Sequence, residues 1–321
     1  MRLKWRDLMW ISTMPVESSE SPLVTVIIPS FNCRKYIDTT VSSVLGQTYG
    51  SFELIIVDDG SNDGSYEHII RHYGSNPKIK ILTHKGHRNK GLATTILIAL
   101  REARGTWVAV LECDDFWHPD CLRRRVDCVR NSPSIGFCSN KLSLLFESSS
   151  RRDWYLTYVS RVQAFLEKKM NSSNSKYFDV KQDIFLENLF PTFSCMMFKK
   201  KYLEELDFTT PVVAWLDWYL YIQLSQSTYC SYIKEELTFW RIHSCSQNSR
   251  RHLIDYFYGY FKFRGKLFKV LKLRKNYFSG FALLDIPRFF ISPLYFRFSR
   301  SLSSLGTMLF IKQFIRKFYG K

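Results

Sequence analysis

A chain of 321 residues that is 45% hydrophobic and 16% aromatic can bury a substantial core, which excludes a collagen-like or disordered chain. Its formal net charge of +17 leaves nucleic acid, anionic lipid and phosphorylated substrates open as partners, and it does not indicate a fold. Eight cysteines without a C-x-x-C pair argue against a zinc site and, in the absence of a recognisable secretory signal, favour a reducing cytoplasm.

The chain begins with "MRLKWRDLMWISTM", in which charged residues interrupt the apolar ones. Such a segment is either a frayed leader or a short interfacial anchor. We predict an N-terminal leader over residues 1–21 and a structured domain from residue 22.

Strands and helices alternate between residues 22 and 140. The runs "VTVIIP" (Val24–Pro29) and "ELIIVDD" (Glu53–Asp59) are rich in β-branched residues, so each predicts a strand buried on both faces. Further strands are predicted at Ile79–Leu82 and Trp107–Leu111, with helices over Tyr36–Leu45, over Leu92–Ala103 and from about Pro119. This alternation predicts a mainly parallel sheet with right-handed crossovers.

Polar clusters follow three of these strands. "PSFN" follows the first strand, "DDGSNDGS" the second and "ECDDFW" the fourth. Ligands of open α/β sheets bind at the carboxyl ends of the strands, which share one edge. We therefore expect the three clusters to form one site.

The cluster "ECDDFW" places Glu112, Asp114 and Asp115 side by side, although mutual repulsion opposes their ionisation. A divalent cation would reverse that repulsion, and a substrate diphosphate would supply its other ligands. The alternative is that Asp114 or Asp115 caps the next helix, and the residues alone leave both interpretations open.

The cluster "DDGSNDGS" also has two interpretations. Its residues are turn formers, with Asp63 near a helix start, or they form a phosphate-binding loop. Neither G-x-G-x-x-G nor G-x-x-x-x-G-K-[ST] occurs, which weakens the Rossmann and P-loop interpretations.

After residue 140 the pattern becomes looser. Residues 146–183 are polar and charged, and "NSSNS" (Asn171–Ser175) predicts an exposed loop or insertion. "FSCMMF" (Phe193–Phe198) has the pattern of a strand, and "LDWYLYIQL" (Leu216–Leu224) that of a helix.

Two segments bear on membrane attachment. The apolar stretch 209–233 carries Asp217, Gln223 and Gln226, so we interpret it as core rather than as a membrane span. Residues 251–321 are basic and aromatic, with the pattern of amphipathic helices. They form a helix packed on the main domain, a peripheral attachment to an anionic membrane leaflet, or a partner-binding segment.

The order of the motifs is more specific than any single motif. "VTVIIPSFN", "ELIIVDDGSNDGS", "HRNKGLATTILIALREARGTWVAVLECDDFWHPDCL", "LDWYLYIQL" and "YIKEELTFWRIH" together resemble the family 2 glycosyltransferases of the GT-A fold. The resemblance extends from residue 22 to about 250. It implies an α/β GT-A fold with a mainly parallel central sheet flanked by helices, a catalytic domain over 22–250 and a C-terminal basic helical extension over 251–321.

The resemblance implies roles on the nucleotide side of the site. Pro29, Phe31 and Asn32 match the family's base-pocket element. Asp59, with Asp58 beside it, matches the acid that binds the base. Nearer the phosphates, the resemblance implies an Asn-x-Gly element and two basic candidates, at Asn89, Gly91, Arg88 and Lys90.

The family's metal motif is usually Asp-x-Asp-Asp, and here Glu112 stands in the first position. The resemblance implies Asp114 and Asp115 as metal ligands and leaves the role of Glu112 open. It also implies that His243 binds the metal or the diphosphate and that Arg241 contacts phosphate, with Asp114 contributing to the donor site as well.

The general base implied by the resemblance is Asp217, at a predicted helix start. Many relatives have two acids there, whereas Leu216 replaces the first one here. The alternative for Asp217 is a carboxylate stabilised by the helix dipole.

The resemblance implies an inverting glycosyltransferase. It would move a sugar from a nucleotide-diphosphate donor, expected to be a UDP-sugar, to a glycan or lipid-linked glycan with the help of Mn²⁺ or Mg²⁺. A bacterial surface polysaccharide is the implied pathway, in the cytoplasm or on the inner face of the plasma membrane. The alternatives are an inactive nucleotide-sugar-binding relative and a nucleic-acid-binding protein; the carboxylate-lined edge argues against nucleic acid.

Overall fold

The first half of the chain alternates strands and helices, as its sequence predicts. The computed structural model describes residues 23–130, 132–147, 152–173, 175–209 and 215–244. Up to residue 129 the elements are β1 (Val24–Ser30), α1 (Ile37–Leu45), β2 (Phe52–Asp58), α2 (Ser65–Tyr73), β3 (Ile79–Thr83), α3 (Leu92–Glu102), β4 (Trp107–Val110), β5 (Phe116–Trp117) and α4 (Cys121–Val129).

The second half adds the elements that complete the sheet. They are β6 (Ile135–Phe146), α5 (Arg152–Ser172), α6 (Lys181–Leu186), a 3₁₀ turn (Phe193–Cys195), β7 (Met196–Lys199), α7 (Lys200–Leu203), α8 (Leu216–Ser225) and β8 (Tyr229–Ile242). The predicted strand over Phe193–Phe198 therefore begins only at Met196.

The sequence, which is polar and charged over residues 146–183, does not predict helix α5, which extends to Ser172 and so into the segment Asn171–Ser175 predicted as an exposed loop or insertion. The buried residues of α5 are Tyr155, Val159, Val162 and Leu166, at spacings of three and four. That spacing is the signature of an amphipathic helix, but the charged residues around it hid the signal. The apolar stripe packs α5 against β6 and β8.

The sheet has eight strands in the order β3-β2-β1-β4-β7-β6-β8-β5. Strand β1 pairs in parallel with β2 and β4, and β2 pairs in parallel with β3. Strand β7 runs antiparallel between β4 and β6, β6 and β8 are parallel, and β5 is antiparallel to β8. The predicted α/β fold with its parallel central strands is confirmed.

The core lies on both faces of the central strands. All seven residues of β1 and all seven of β2 are buried, as their runs of β-branched residues predict. Because β2, β1 and β4 are parallel neighbours, the loops after them lie at one edge of the sheet. The functional clusters of the sequence lie in these loops.

Helix α8 lies within the apolar stretch that was interpreted as core, and its residues are almost all buried. None of the helices in the described parts of the chain is long and apolar enough to cross a membrane. The predicted leader (1–21) and basic extension (251–321) lie outside the described residues and stay predictions.

Candidate active site

Hydrogen bonds join the loops that follow β1 and β2. Asn32 donates its backbone N–H to Ser61 Oγ (2.9 Å), and its side-chain Oδ1 accepts from the N–H of Asn62 (2.9 Å). Asn32 has a φ of 50°, a left-handed conformation that asparagine tolerates better than most residues. Phe31 stands beside this junction with 46% of its surface exposed, whereas Pro29 is buried in β1. The two predicted nucleotide-binding loops are therefore in contact.

Asp58 organises the turn after β2. Its Oδ1 accepts from the N–H groups of Gly60 (3.1 Å) and Ser61 (2.9 Å). Its Oδ2 accepts from the hydroxyls of Ser61 (2.6 Å) and Ser30 (3.2 Å). The carboxylate is completely buried and both oxygens are used within the protein. This geometry gives Asp58 a role in shaping the loop.

Asp59 fastens the loop after β3 to the same edge. Its carboxylate accepts from the N–H groups of Lys90 (2.6 Å) and Gly91 (3.0 Å). The approach is so close that a Cβ on Gly60 would lie 2.6 Å from Asn89 N, and Gly60 also has a φ of +76°. Only glycine fits there. The exposed basic side chains of this loop include those of Arg88 and Lys90.

Asp115 is buried beneath the acidic loop that follows β4. Its Oδ1 accepts from the N–H of Arg241 (2.9 Å), and its Oδ2 accepts from Ser194 Oγ (2.6 Å). Helix α4 begins six residues later, at Cys121, so neither Asp114 nor Asp115 caps it. The helix-cap interpretation is therefore wrong, and the acids serve a different purpose.

Asp114 lies closer to solvent and faces the end of β8. His243 Nε2 lies 3.0 Å from Asp114 Oδ2, and Arg241 donates from Nε to the Asp114 carbonyl (2.9 Å). Ligand atoms of Glu112, Asp114 and Asp115 all lie within 4.8 Å of one another. Carboxylate oxygens with an imidazole nearby suit Mn²⁺ or Mg²⁺, so these residues fit such an ion.

Two acids of this loop, Glu112 and Asp115, have raised pKa values. The pKa of Asp115 lies well above its usual range because the group is buried and because Asp114 and Glu112 carry like charge. Burial raises the pKa of Glu112 to about 8, and the charges of Asp114 and Asp217 add to the effect. A cation bound among these groups would oppose the shifts.

Glu147 holds Arg241 from the end of β6. Arg241 donates from one terminal nitrogen to Glu147 Oε1 (2.8 Å), and its guanidinium stacks over the ring of Tyr36 (4.9 Å). Hydrogen bonds from Lys35, Tyr36 and Arg241 lower the pKa of Glu147 to about 2. Protein groups thus fix Arg241, and its guanidinium in turn holds the backbone carbonyl of Asp114.

Asp217 occupies the first turn of α8. Its Oδ1 accepts from the N–H of Trp218 (2.7 Å), and its Oδ2 accepts from Asn188 Nδ2 (3.1 Å). Burial raises the pKa of Asp217 to about 7. The bond to Trp218 is the helix-start contact of the alternative interpretation. A general base works best when its pKa lies near the working pH, so the raised pKa suits Asp217 to accept a proton at neutral pH.

Asp217 and the acidic loop belong to one neighbourhood. The ring of Tyr221 packs against Phe193 of the 3₁₀ turn (5.7 Å between ring centres), and the next residue, Ser194, accepts from the N–H of Glu112 (3.0 Å). Burial raises the pKa of Tyr221 well above its usual range, and the charges of Asp217 and Glu112 add to that effect. Tyr221 lies one helical turn after Asp217, and its buried hydroxyl has no hydrogen-bond partner among the described residues. The acidic loop and the predicted base are therefore brought to the same site.

Sequence reasoning missed the residues that position these groups. Ser194, Glu147 and Asn188 contact Asp115, Arg241 and Asp217 respectively. Each of the three is far along the chain from the group it holds, so no local motif marks it. Only the tertiary structure brings the partners together.

Comparisons with known proteins bear on the family and the fold of this chain. The family model described as "Glycosyl transferase family 2" matches residues 25–207. The chain is 37% identical over 114 residues to a chondroitin synthase of Escherichia coli, which covers 36% of this chain and 16% of that protein. It is 36% identical over 127 residues to the Escherichia coli protein WfgD, named a UDP-Glc:alpha-D-GlcNAc-diphosphoundecaprenol beta-1,3-glucosyltransferase, which covers 40% of this chain and 48% of the relative.

Solved structures share the fold. Staphylococcus aureus TarS 1–349 in complex with UDP-GlcNAc superposes with a TM-score of 0.57 at 16% identity, covering 74% of this chain and 64% of that one. The mannosyltransferase PcManGT of Pyrobaculum calidifontis, in complex with GDP-Man and Mn²⁺, gives a TM-score of 0.51 at 21% identity, covering 76% and 63%. In each comparison the chain matches less than two thirds of the other protein's length.

Proposed function

Since this chain belongs to glycosyl transferase family 2, we propose that it transfers a sugar from a nucleotide-diphosphate donor to a hydroxyl group of a glycan or lipid-linked glycan. The single observation that carries the proposal is that α8, which carries Asp217, packs through Tyr221 against Phe193 (5.7 Å between ring centres), next to Ser194, whose hydroxyl accepts from the N–H of Glu112 in the acidic loop (3.0 Å). In this proposal a base and a charge-binding cluster lie on the two sides of one reaction centre.

The donor side is formed by the joined loops after β1 and β2. The exposed ring of Phe31 offers a stacking surface for a nucleotide base, beside the turn that Asp58 and Asp59 hold in place. A UDP-sugar is supported by the UDP-GlcNAc bound to TarS and by the UDP-Glc in the name of WfgD. The exposed Arg88 and Lys90 are proposed to contact the diphosphate.

The diphosphate side is formed by the acidic loop and the end of β8. We assign Asp114 and His243 to hold a Mn²⁺ or Mg²⁺ ion, with Asp115 as a further predicted ligand that also fixes the N–H of Arg241. When bound, such an ion neutralises the charge that develops on the departing diphosphate. PcManGT was solved with Mn²⁺, which supports this choice of ion.

Asp217 is the proposed general base. The acceptor hydroxyl oxygen attacks the anomeric carbon, its proton passes to the Asp217 carboxylate, and the bond from the anomeric carbon to the diphosphate oxygen breaks. A single displacement of this kind inverts the anomeric centre. Asn188 holds the carboxylate at Oδ2 (3.1 Å) and the N–H of Trp218 holds it at Oδ1 (2.7 Å), so the orientation of the carboxylate is fixed. Positioned base catalysis contributes about 10²–10⁴-fold.

The acceptor is proposed to approach along the start of α5. Tyr158 donates its hydroxyl to the carbonyl of Asn188 (2.6 Å), the residue that holds Asp217. The ring of Trp154 stacks on Tyr158 at 5.3 Å and remains partly exposed. Aromatic faces bind the apolar faces of sugar rings, so this pair supports a glycan acceptor. Attachment of residues 251–321 to an anionic membrane, next to a lipid-linked acceptor, stays a prediction.

The test is a screen of nucleotide sugars with the purified chain, with and without Mn²⁺. Thermal shift measures donor binding, and release of the free nucleotide measures turnover. We expect one donor to stabilise the protein only with the cation and to be turned over, and an Asp217→Asn variant to bind that donor without turning it over. Binding without any turnover by the wild type, with every acceptor offered, would instead indicate an inactive relative. Binding of no donor would refute the proposal.

A further inference from the structure

Arg125 of helix α4 is a completely buried cation. It donates to Asn140 Oδ1 from Nε (2.9 Å) and from one terminal nitrogen (2.6 Å), and to the carbonyls of Ser194 (2.7 Å) and Met196 (3.2 Å). A further bond reaches Thr238 Oγ1 (3.2 Å). Every one of these acceptors is neutral, and among the residues that the structure describes the guanidinium forms no ion pair.

Burying a charge without an opposite charge is unfavourable, and a neutral side chain in the same place is often at least as stable. The hydrogen bonds offset part of that cost. The presence of a buried arginine here is therefore explained by the groups that its hydrogen bonds hold in place.

The bonds of Arg125 converge on Ser194. The Ser194 carbonyl accepts from Arg125 (2.7 Å), from Trp117 Nε1 (2.7 Å) and from the hydroxyl of Thr238 (3.2 Å). The guanidinium also lies over the Trp117 ring, 4.7 Å from its centre. Three donors on one carbonyl fix the orientation of the 3₁₀ turn that carries Ser194.

The other groups of Ser194 face the acidic loop. Its hydroxyl donates to Asp115 Oδ2 (2.6 Å) and accepts from the N–H of Glu112 (3.0 Å). The second oxygen of Asp115 accepts from the N–H of Arg241 (2.9 Å), two residues before His243. Ser194 therefore connects Arg125 to the acidic loop and, through Asp115, to the strand end that carries His243.

We propose that Arg125 is a positioning residue for the cation site. Through Ser194 it fixes Asp115, and through Asp115 it fixes the separation between Asp114 and His243. The inference rests on the proposed function for the identity of the bound ion. It adds a residue outside the motifs of the acidic loop, on helix α4.

The experiment measures Mn²⁺ affinity from the electron paramagnetic resonance signal of free Mn²⁺, in the presence of UDP and at a temperature where every variant is folded. Arg125→Gln and Ser194→Ala are each expected to weaken Mn²⁺ binding about 10- to 100-fold, as losses of outer-shell partners do. The double variant is expected to lose no more Mn²⁺ affinity than the single variant that binds Mn²⁺ more weakly. Both changes interrupt the same series of contacts, from Arg125 through Ser194 to Asp115. The Mn²⁺ affinity of Arg125→Lys should lie between those of the wild type and Arg125→Gln, because lysine keeps one donor for the Ser194 carbonyl.

The matched control is Val126→Ala, the completely buried neighbour of Arg125 on the same helix. It removes packing and lowers stability but should leave Mn²⁺ affinity unchanged. Equal losses of Mn²⁺ affinity in Val126→Ala and Arg125→Gln would show that Arg125 has only a structural role, which would overturn the inference. Wild-type affinity in Arg125→Gln, or additive losses in the double variant, would overturn the inference.

A second measurement applies if the wild type binds no Mn²⁺, which would contradict the cation site itself. Amide hydrogen exchange of Arg241 reports its bond to Asp115 without any metal. We expect its protection to fall in Arg125→Gln and in Ser194→Ala and to persist in Val126→Ala. Unchanged protection in Arg125→Gln would overturn the positioning role independently of the proposed function.

Discussion

Replacing Asp217 by asparagine should slow turnover by about 10²–10⁴-fold and at the same time make the fold more stable at neutral pH. Burial raises the pKa of Asp217 from 3.8 to about 7. Below pH 4 the carboxyl is protonated in both the folded and the unfolded chain, so it does not affect folding. Between pH 4 and 7 the unfolded chain releases this proton while the folded chain keeps it, so stability falls as the pH rises.

The size of the effect follows from that shift. Roughly 3 pH units at about 1.4 kcal/mol each give an upper bound of ~4 kcal/mol of destabilisation above pH 7. Asparagine removes the charge and keeps an acceptor for the N–H of Trp218, but it disturbs the bond from Asn188. That disturbance costs about 1 kcal/mol, so a net gain of ~1–3 kcal/mol is expected at pH 8 and none at pH 4.

The assay is urea unfolding of the wild type and the variant from pH 4 to 8 without divalent cations, beside nucleotide release with Mn²⁺ over the same range. The wild-type rate should rise about tenfold from pH 6 to 8 as Asp217 ionises, and the variant should lose about 10²–10⁴-fold in rate. Asp127→Asn, a change at an exposed acid of α4, is the matched control and should change neither property. Equal stability of the variant and the wild type at pH 8 would contradict the raised pKa of Asp217. An unchanged rate would contradict its role as the base.

Four further outcomes are expected. Asp114→Ala should lose Mn²⁺-dependent donor stabilisation in a thermal-shift assay while the protein remains folded, because it removes a proposed ligand that faces solvent. Gly60→Ala should lower the free energy of unfolding by about 1–3 kcal/mol in urea titrations and weaken donor binding, because its Cβ would collide with the backbone of Asn89. Glu147→Ala should raise the KM for the donor more than it lowers kcat, because Arg241 loses its carboxylate partner. Trp154→Ala should raise the KM for the acceptor and leave acceptor-independent donor hydrolysis unchanged, whereas Leu156→Ala, an exposed neighbour on α5, should change neither.

The parallel half of the sheet was predictable because its signal is local. Strands β1 and β2 are continuous β-branched runs buried on both faces, and the helices between them show the spacing of one apolar face. The order of strands then placed the three polar clusters at one edge. The same reasoning did not predict α5, where a narrow apolar stripe lies among charged residues.

The site was predictable in part. The acids at the strand ends and Asp217 could be singled out by residue type and motif order, and the structure brings them together. The groups that hold them could not, since Ser194 meets Asp115 across 79 positions of the chain and Arg241 meets Glu147 across 94. Short-range patterns carry no information about such pairs, and a buried arginine such as Arg125 is indistinguishable by sequence from its exposed neighbours on α4.

The proposed transfer depends on a single displacement at the anomeric carbon with Asp217 as the base. Proton NMR of the product, formed from an α-linked UDP-sugar identified in the donor screen, tests it most directly. We expect a β-linked product with Mn²⁺ present, and formation of that product about 10²–10⁴-fold more slowly by the Asp217→Asn variant. An α-linked product, or β-linked product formed at the wild-type rate by that variant, would contradict it.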